Sequence, residues 1–350
     1  MEQTQLSTRR LDSIDLTKAF AICAVLLIHC SANRFALFEI GSLPWLITTF
    51  WGTVSRWAVP AFLLCSGALM NDPSRDLPLK KLFSKYILRL ALALSVWAGF
   101  YELLRIYISR GTAPLLTLLV QAVKNWCYGS TYYHLYYFYF ALALYFALPL
   151  TRLIARHASK EELRYILILW FSAGTLIPLC RQLPILNQMT SSLLRYSLAA
   201  IFLCPGLGLL GWYFRQHPPK SWRSGAVLFL TGFTIAFLGM WLRSRAAGAL
   251  DSLFLDGFNP AALLMAGGLF RFSQALTANR DIHRMVRLIS KASFCIYLVH
   301  PFFQWLTRSP YFEALSPLWG TPLQAVVLFA LSFLTYLILR KLPLVNQWLI

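Results

Sequence analysis

The sequence predicts an all-α protein, a polytopic membrane bundle of about ten transmembrane helices with both termini cytoplasmic. Three observations carry this expectation. Of 350 residues, 58% are hydrophobic and only 13% charged, with a mean hydropathy of +0.59. Soluble domains carry roughly 25% charged and 45–50% apolar residues, so this much apolar surface has no place in a water-soluble globule. Stretches of the roughly 20 apolar residues that cross a bilayer recur along the whole chain. Between them, Lys and Arg gather in short clusters.

In chain order, the first dozen residues are polar, and the apolar run 14–32 follows without a small-residue cleavage pattern, which predicts a retained helix. Further spans are predicted at 44–70, 84–108, 133–151, 164–181, 194–214, 225–242, 258–275, 289–308 and 321–340. The stretch 113–127, "APLLTLLVQAVKNWC", is shorter and flanked by polar residues, as expected of an interfacial or re-entrant helix. No loop is long enough for a second domain and no internal repeat is visible, so residues 1–350 read as one integral-membrane domain. "GLGLLG" at 206–211 matches a nucleotide-binding spacing, but it follows no strand and lies in a span, where small-residue helix packing is expected.

The net charge of +19 would point to nucleic acid on a soluble protein. Here its placement sets orientation instead. With the N-terminus inside, 22 of the 32 Lys and Arg residues fall on inner segments, an excess at every inner loop. The seven cysteines are scattered without a CxxC pair, so neither a disulfide framework nor a zinc site is indicated, and no metal is expected.

Ionisable groups inside spans cost about 2.5–3.5 kcal/mol each at a helix centre and face the bundle interior, so they mark function. Lys18 and His29 are eleven residues apart, about three turns, on one helix face and roughly 16 Å apart in rise. Asp15 lies one turn before Lys18 on nearly the same stripe. Lys18 either snorkels to headgroups or grips a ligand; His29, deeper, suits general-base or nucleophilic work. His134 and His300 fall at comparable outer-half depth. His134 fits an aromatic belt as well as a catalytic role; His300, before Pro301, fits a kink cap or a site. Arg56, near mid-membrane, requires Asp15, a carbonyl network or an anionic ligand as its partner. Ser66 and Gly67 admit either a ligand or a neighbouring helix. Lys85 and Arg89 are topology signals or a phosphate grip.

These residues resemble the integral-membrane acyltransferase-3 family, which O-acylates cell-envelope sugars. "IDLTKAFAICAVLLIH" is similar to its first-helix pattern of (L/I)D, then Arg or Lys, ten residues and His. "SRWAVPAFLLCSG" resembles R-x-x-V-P-x-F-x-x-x-S-G, and "YYHLYYFYFALALYFALPL" and "ISKASFCIYLVH" resemble two later family segments. The four motifs stand in order from residue 14 to 300, and the resemblance is closest to compact ten-helix members similar to the enterobacterial-common-antigen O-acetyltransferase. Departures are Lys18 in place of Arg, Leu63 in place of a frequent Phe, and a basic pair displaced to Lys85 and Arg89 without the following Pro.

The resemblance implies cytoplasmic acetyl-CoA as donor, a sugar or lipid-linked glycan hydroxyl on the far side as acceptor, and a bacterial inner-membrane location among its lipids. It makes His29, Lys18 and Asp15 the expected catalytic set, and Lys18, Arg56, Ser66, Gly67, Lys85 and Arg89 the expected coenzyme contacts. His134, His300 and Tyr139 are the expected acceptor contacts. A transporter or flippase for a lipid-linked sugar or small metabolite is the alternative; it would use the same polar pathway without covalent chemistry, but the halves show no repeat. The orientation is open to direct test. A cysteine placed around residue 34 is expected to react with an impermeant maleimide added outside intact cells, and one around residue 80 only after permeabilisation; the reverse pattern overturns it.

Overall fold

The computed structural model describes residues 2–108, 114–128, 131–181, 199–278, 281–307 and 310–350. The described residues form helices and no strand. Nine segments among them are long and apolar enough to cross a membrane: Asp12–Leu37, Leu43–Met70, Leu79–Ile108, Tyr133–His157, Lys160–Cys180, Trp222–Ala247, Leu253–Thr277, Arg284–Leu306 and Pro317–Leu339. The tenth expected span, 194–214, corresponds to a helix over Ala199–Gln216, and its first residues lie outside the described ones.

Local chemistry starts and stops these elements. Helix α1 runs over Glu2–Ala32. The Ser42 hydroxyl accepts from the Trp45 N–H and, with Pro44 in the first turn, starts α2 (Leu43–Val54). The predicted single helix 44–70 is broken here. Residues 55–57 form tight turns, with Arg56 N–H on Thr53 O and Ala58 N–H on Ser55 O, before α3 (Ala58–Met70). Pro60 explains the break, because its ring would collide with the carbonyl four residues back, that of Arg56, and it offers no N–H to it. The third span opens with a π-helical stretch, Leu82–Ile87, before α4 (Leu88–Ile108). The expected interfacial segment is a short helix, α5 (Leu115–Cys127), lying against α4 with Asn125 donating to Glu102 at 3.1 Å. Then come α6 (Tyr136–His157), α7 (Lys160–Phe171, with a Ser159–Glu162 capping box), α8 (Ala199–Gln216) and α9 (Trp222–Ala247, ended by Gly248 at φ 63°). Asn259 caps α10 (Pro260–Thr277) and the His283 ring caps α11 (Arg284–Leu306); α12 (Pro317–Leu339) and α13 (Pro343–Trp348) complete the chain.

Helix α1 sits at the centre, packed by α2, α3, α10, α11 and α12. It is clamped at both ends. Arg287 donates to both carboxylate oxygens of the buried Asp12, at 3.2 and 2.9 Å. At the opposite end the buried Arg34 reaches the carbonyls of Leu315 and Phe312. The Arg89 guanidinium donates to the Ile350 carbonyl, so residues 12 and 350 both approach the end of the bundle that carries most Lys and Arg, here the basic end.

The "GLGLLG" run packs helices, as expected. A Cβ on Gly67 would stand 2.2 Å from Gly208 Cα, and one on Gly211 would stand 2.0 Å from the Leu64 carbonyl oxygen, so α3 and α8 touch backbone to backbone. The loop after α3 is stapled. Arg152 donates to the Met70, Asp72 and Arg75 carbonyls, and Arg215 pairs with Asp72 at 2.6 Å. Burial alone would raise the Asp72 carboxyl; hydrogen bonds from Ser74 and the Arg215 charge outweigh it and hold Asp72 below its usual range.

Two outcomes follow from this packing. Gly67→Ala should destabilise the detergent-solubilised protein by about 1–3 kcal/mol through overpacking, read as a lowered Tm. For Asp72, the depressed folded value means its contribution is complete above the ordinary carboxylate value and is lost as pH falls through the lower folded one. The acid limb of Tm against pH should therefore flatten in Asp72→Asn.

Candidate functional site: a basic-end cavity and a histidine cluster

A cavity of about 240 Å³ enters the bundle at the basic end, walled by α1, α3, α4, α6 and α11. Its polar lining includes Lys18, Ser66, Tyr86, Arg89, Tyr137 and Tyr297. Lys18 is half-buried and has no hydrogen-bond or ion-pair partner among the described residues, so its ammonium faces the cavity unneutralised. The π-helical turn sets which side chains line this wall. It turns Tyr86 and Arg89 inward and leaves Lys85 exposed on the other side. Tyr86 is in turn held by Arg75, which donates to its hydroxyl at 3.0 Å.

Tyr137 and Tyr297, whose ring centroids are 5.3 Å apart, line the cavity. Tyr297 is 5.5 Å from the His134 ring, and its hydroxyl donates to the His134 carbonyl. Past this pair the three histidines expected at one depth are gathered together. His134 is 5.6 Å from His300, and His300 is 4.9 Å from His29, whose other neighbour is Tyr133 at 5.2 Å. They come from α6's entry turn, α11 and α1. His29 is half-buried, and neither of its ring nitrogens has a hydrogen-bond partner. His134 and His300 are fully buried.

Backbone chemistry positions the cluster. Pro301 has no N–H, so it leaves the carbonyl four residues back, that of Tyr297, without its helical donor. The His300 Nδ1 takes that place at 2.8 Å, with Ile296 O at 3.2 Å, while its Nε2 is sealed from the surface without a partner. At the end of α1 the His29 carbonyl is one of the last four, which lack in-helix donors. Gln304, one turn past His300, donates to it at 2.8 Å and accepts from the Tyr133 hydroxyl at 2.9 Å.

Several expected site residues stand elsewhere. Asp15 is at the basic end, accepting from Ser290 at 2.6 Å, and does not meet Arg56. Arg56 does not line the basic-end cavity. Its Nε donates to Gly52 O at 3.0 Å, its charge acts on His29, and its electrostatic neighbours are Tyr136 and Asp256. It thus belongs to the histidine end. Gly67 is consumed by contact with Gly208, Lys85 faces out, and Tyr139 is exposed on the outer face of α6, two residues from the Tyr137 that lines the cavity. Tyr86, Tyr137, Tyr297, Tyr133 and Gln304 stand at the site as well, beyond those expected from sequence. Helical spacing from the quoted histidines would have found Tyr297 and Gln304, at three and four residues from His300.

Among the described residues no group of three or more His, Cys, Asp or Glu is disposed to hold a metal ion. The arrangement is that of a cavity with cationic and aromatic lining beside a cluster of three imidazoles, two of them fully buried. No curated protein and no solved structure matches the chain significantly. The acyltransferase-3 family model, described as an acyltransferase domain, matches residues 11–341 and so takes in the whole cavity and the whole histidine cluster; the chain belongs to that family and is a multi-pass membrane acyltransferase.

Proposed function

We propose that this acyltransferase moves an acetyl group from cytoplasmic acetyl-CoA to a hydroxyl of an extracytoplasmic cell-envelope sugar or lipid-linked glycan, from the inner membrane of a bacterium. The observation that carries the reading is that the cavity lined by Lys18 and Arg89 reaches Tyr297, whose ring lies 5.5 Å from His134 of the cluster that holds His29. The Lys/Arg distribution supports a cytoplasmic basic end, where an unpaired ammonium and a guanidinium lining one cavity suit the phosphates of a coenzyme. Lys18 and His29 are separated by roughly 16 Å of helix rise. An extended pantetheine arm, about five residue-lengths of chain at ~3.5 Å each, covers a similar distance.

In this reading His29 takes the proton from the acceptor hydroxyl as its oxygen attacks the thioester carbonyl. The carbon–sulfur bond breaks, and the proton passes to the departing thiolate to give free CoA. An acyl group carried briefly on His29 uses the same geometry in two steps. Lys18 and Arg89 hold the donor, and Arg56 supplies positive charge on the acceptor side.

The test is purified protein in proteoliposomes with radiolabelled acetyl-CoA and a glycan acceptor. Wild type should release CoA and label the acceptor, His29→Ala should lose about 10²–10⁴-fold in rate, and Lys18→Ala should chiefly raise the acetyl-CoA KM. Labelling that survives His29→Ala overturns the assignment. Movement of an intact glycan without CoA turnover would instead support a flippase.

A further inference from the structure

Resting on the acyl-transfer reading, we infer that His300 is the positioning residue for His29, with its tautomer set by Pro301. A proline inside a helix leaves one carbonyl without a donor, and here that carbonyl is Tyr297 O. An unpaired carbonyl in a buried span must find a donor. His300 Nδ1, at 2.8 Å, is the group that meets it. A carbonyl only accepts, so Nδ1 carries the hydrogen, and in a neutral imidazole the other nitrogen then has a lone pair and no proton. The Nε2 of His300 is therefore an acceptor, buried and without a partner, beside His29.

The spacing fits an imidazole pair. Two rings joined by an N–H···N bond of about 2.9 Å have centroids roughly 5 Å apart, and His29 and His300 stand 4.9 Å apart with their planes tilted by 31°. Catalytic hydrogen bonds commonly align only when the substrate is bound. Rotation of the His29 ring gives its N–H to His300 Nε2, which leaves the other His29 nitrogen unprotonated and free to meet the acceptor hydroxyl. His29 cannot drift from this position, because Gln304 holds its carbonyl and Tyr133 flanks its ring. During transfer the hydroxyl proton goes to His29, the His29 N–H stays on His300, and the proton leaves with the CoA thiol. His300 itself gains and loses none. It is a positioning residue, in the role that a carboxylate fills in an acid–His–nucleophile triad.

Three variants in proteoliposomes test this. His300→Asn keeps a polar group near Nδ1 and removes the acceptor at Nε2; kcat should fall about 10–100-fold, the size expected for an orienting partner, with the acetyl-CoA KM within about twofold. His300→Gln places a carboxamide oxygen near the Nε2 position and should recover most of that loss. Pro301→Ala restores a backbone N–H to Tyr297 O, which competes with Nδ1 and frees the ring. It should lower kcat several-fold while leaving Tm unchanged or raised, since the helix gains a hydrogen bond, and a folding defect cannot mimic that pairing. Equal activity of His300→Asn and His300→Gln, a loss confined to KM, or an unaffected kcat in Pro301→Ala would overturn the inference while His29→Ala remains inactive. A wild type without CoA turnover would instead overturn the acyl-transfer reading on which it rests.

Discussion

A polar or charged side chain in hydrocarbon must be met by another polar group, and helix α1 carries the ionisable Asp12, Asp15, Lys18 and His29, with Arg34 just past its end. The rest of the bundle is arranged around that demand. Arg287 and Ser290 of α11 meet Asp12 and Asp15, His300 of α11 lies beside His29, and backbone carbonyls beyond α11 receive Arg34. One helix thus answers another along nearly its whole length. Lys18 has no such partner, and it opens onto the cavity. An unpaired ammonium in a cavity is where an anionic ligand has something to gain, and His29, whose ring nitrogens are also unpaired, is left free for chemistry.

This matching explains why much of the site was legible in sequence. The three-turn interval from Lys18 to His29 is a property of any helix, and the depth of His134 and His300 follows from counting along their spans. Helices of fixed rise therefore bring the three imidazoles to one level without any knowledge of neighbours. The packing role of "GLGLLG" was readable for a similar reason, since small residues at helical spacing permit backbone contact wherever they occur in a membrane.

What was not legible depended on departures from the regular helix. Pro60 breaks the second span beside Arg56, and Arg56 consequently serves the histidine end and not the donor cavity. The π-helical turn at Leu82–Ile87 advances the register by one residue per turn, which places Arg89 in the wall and Lys85 outside it. Tyr139 and Tyr137 are two residues apart, about 200° around a helix, and no composition rule says which one faces inward. Gly67 was open between ligand and helix contact, and only the proximity of Gly208 decided it.

The two functional prolines do opposite things with the same chemistry. Pro60, near the start of its helix, ends the preceding one and lets the chain turn. Pro301, deep within α11, leaves the helix running and releases a single carbonyl. In water that carbonyl would be hydrated at little cost. Between packed helices an unmet group costs on the order of 1–3 kcal/mol, so the preceding histidine is drawn onto it. That histidine then has one nitrogen spent on structure and one left as a buried lone pair, itself unmet until the neighbouring imidazole turns to it. The strain of an unsatisfied acceptor is thereby stored next to His29, in the place where a turn of that ring both relieves it and prepares the base.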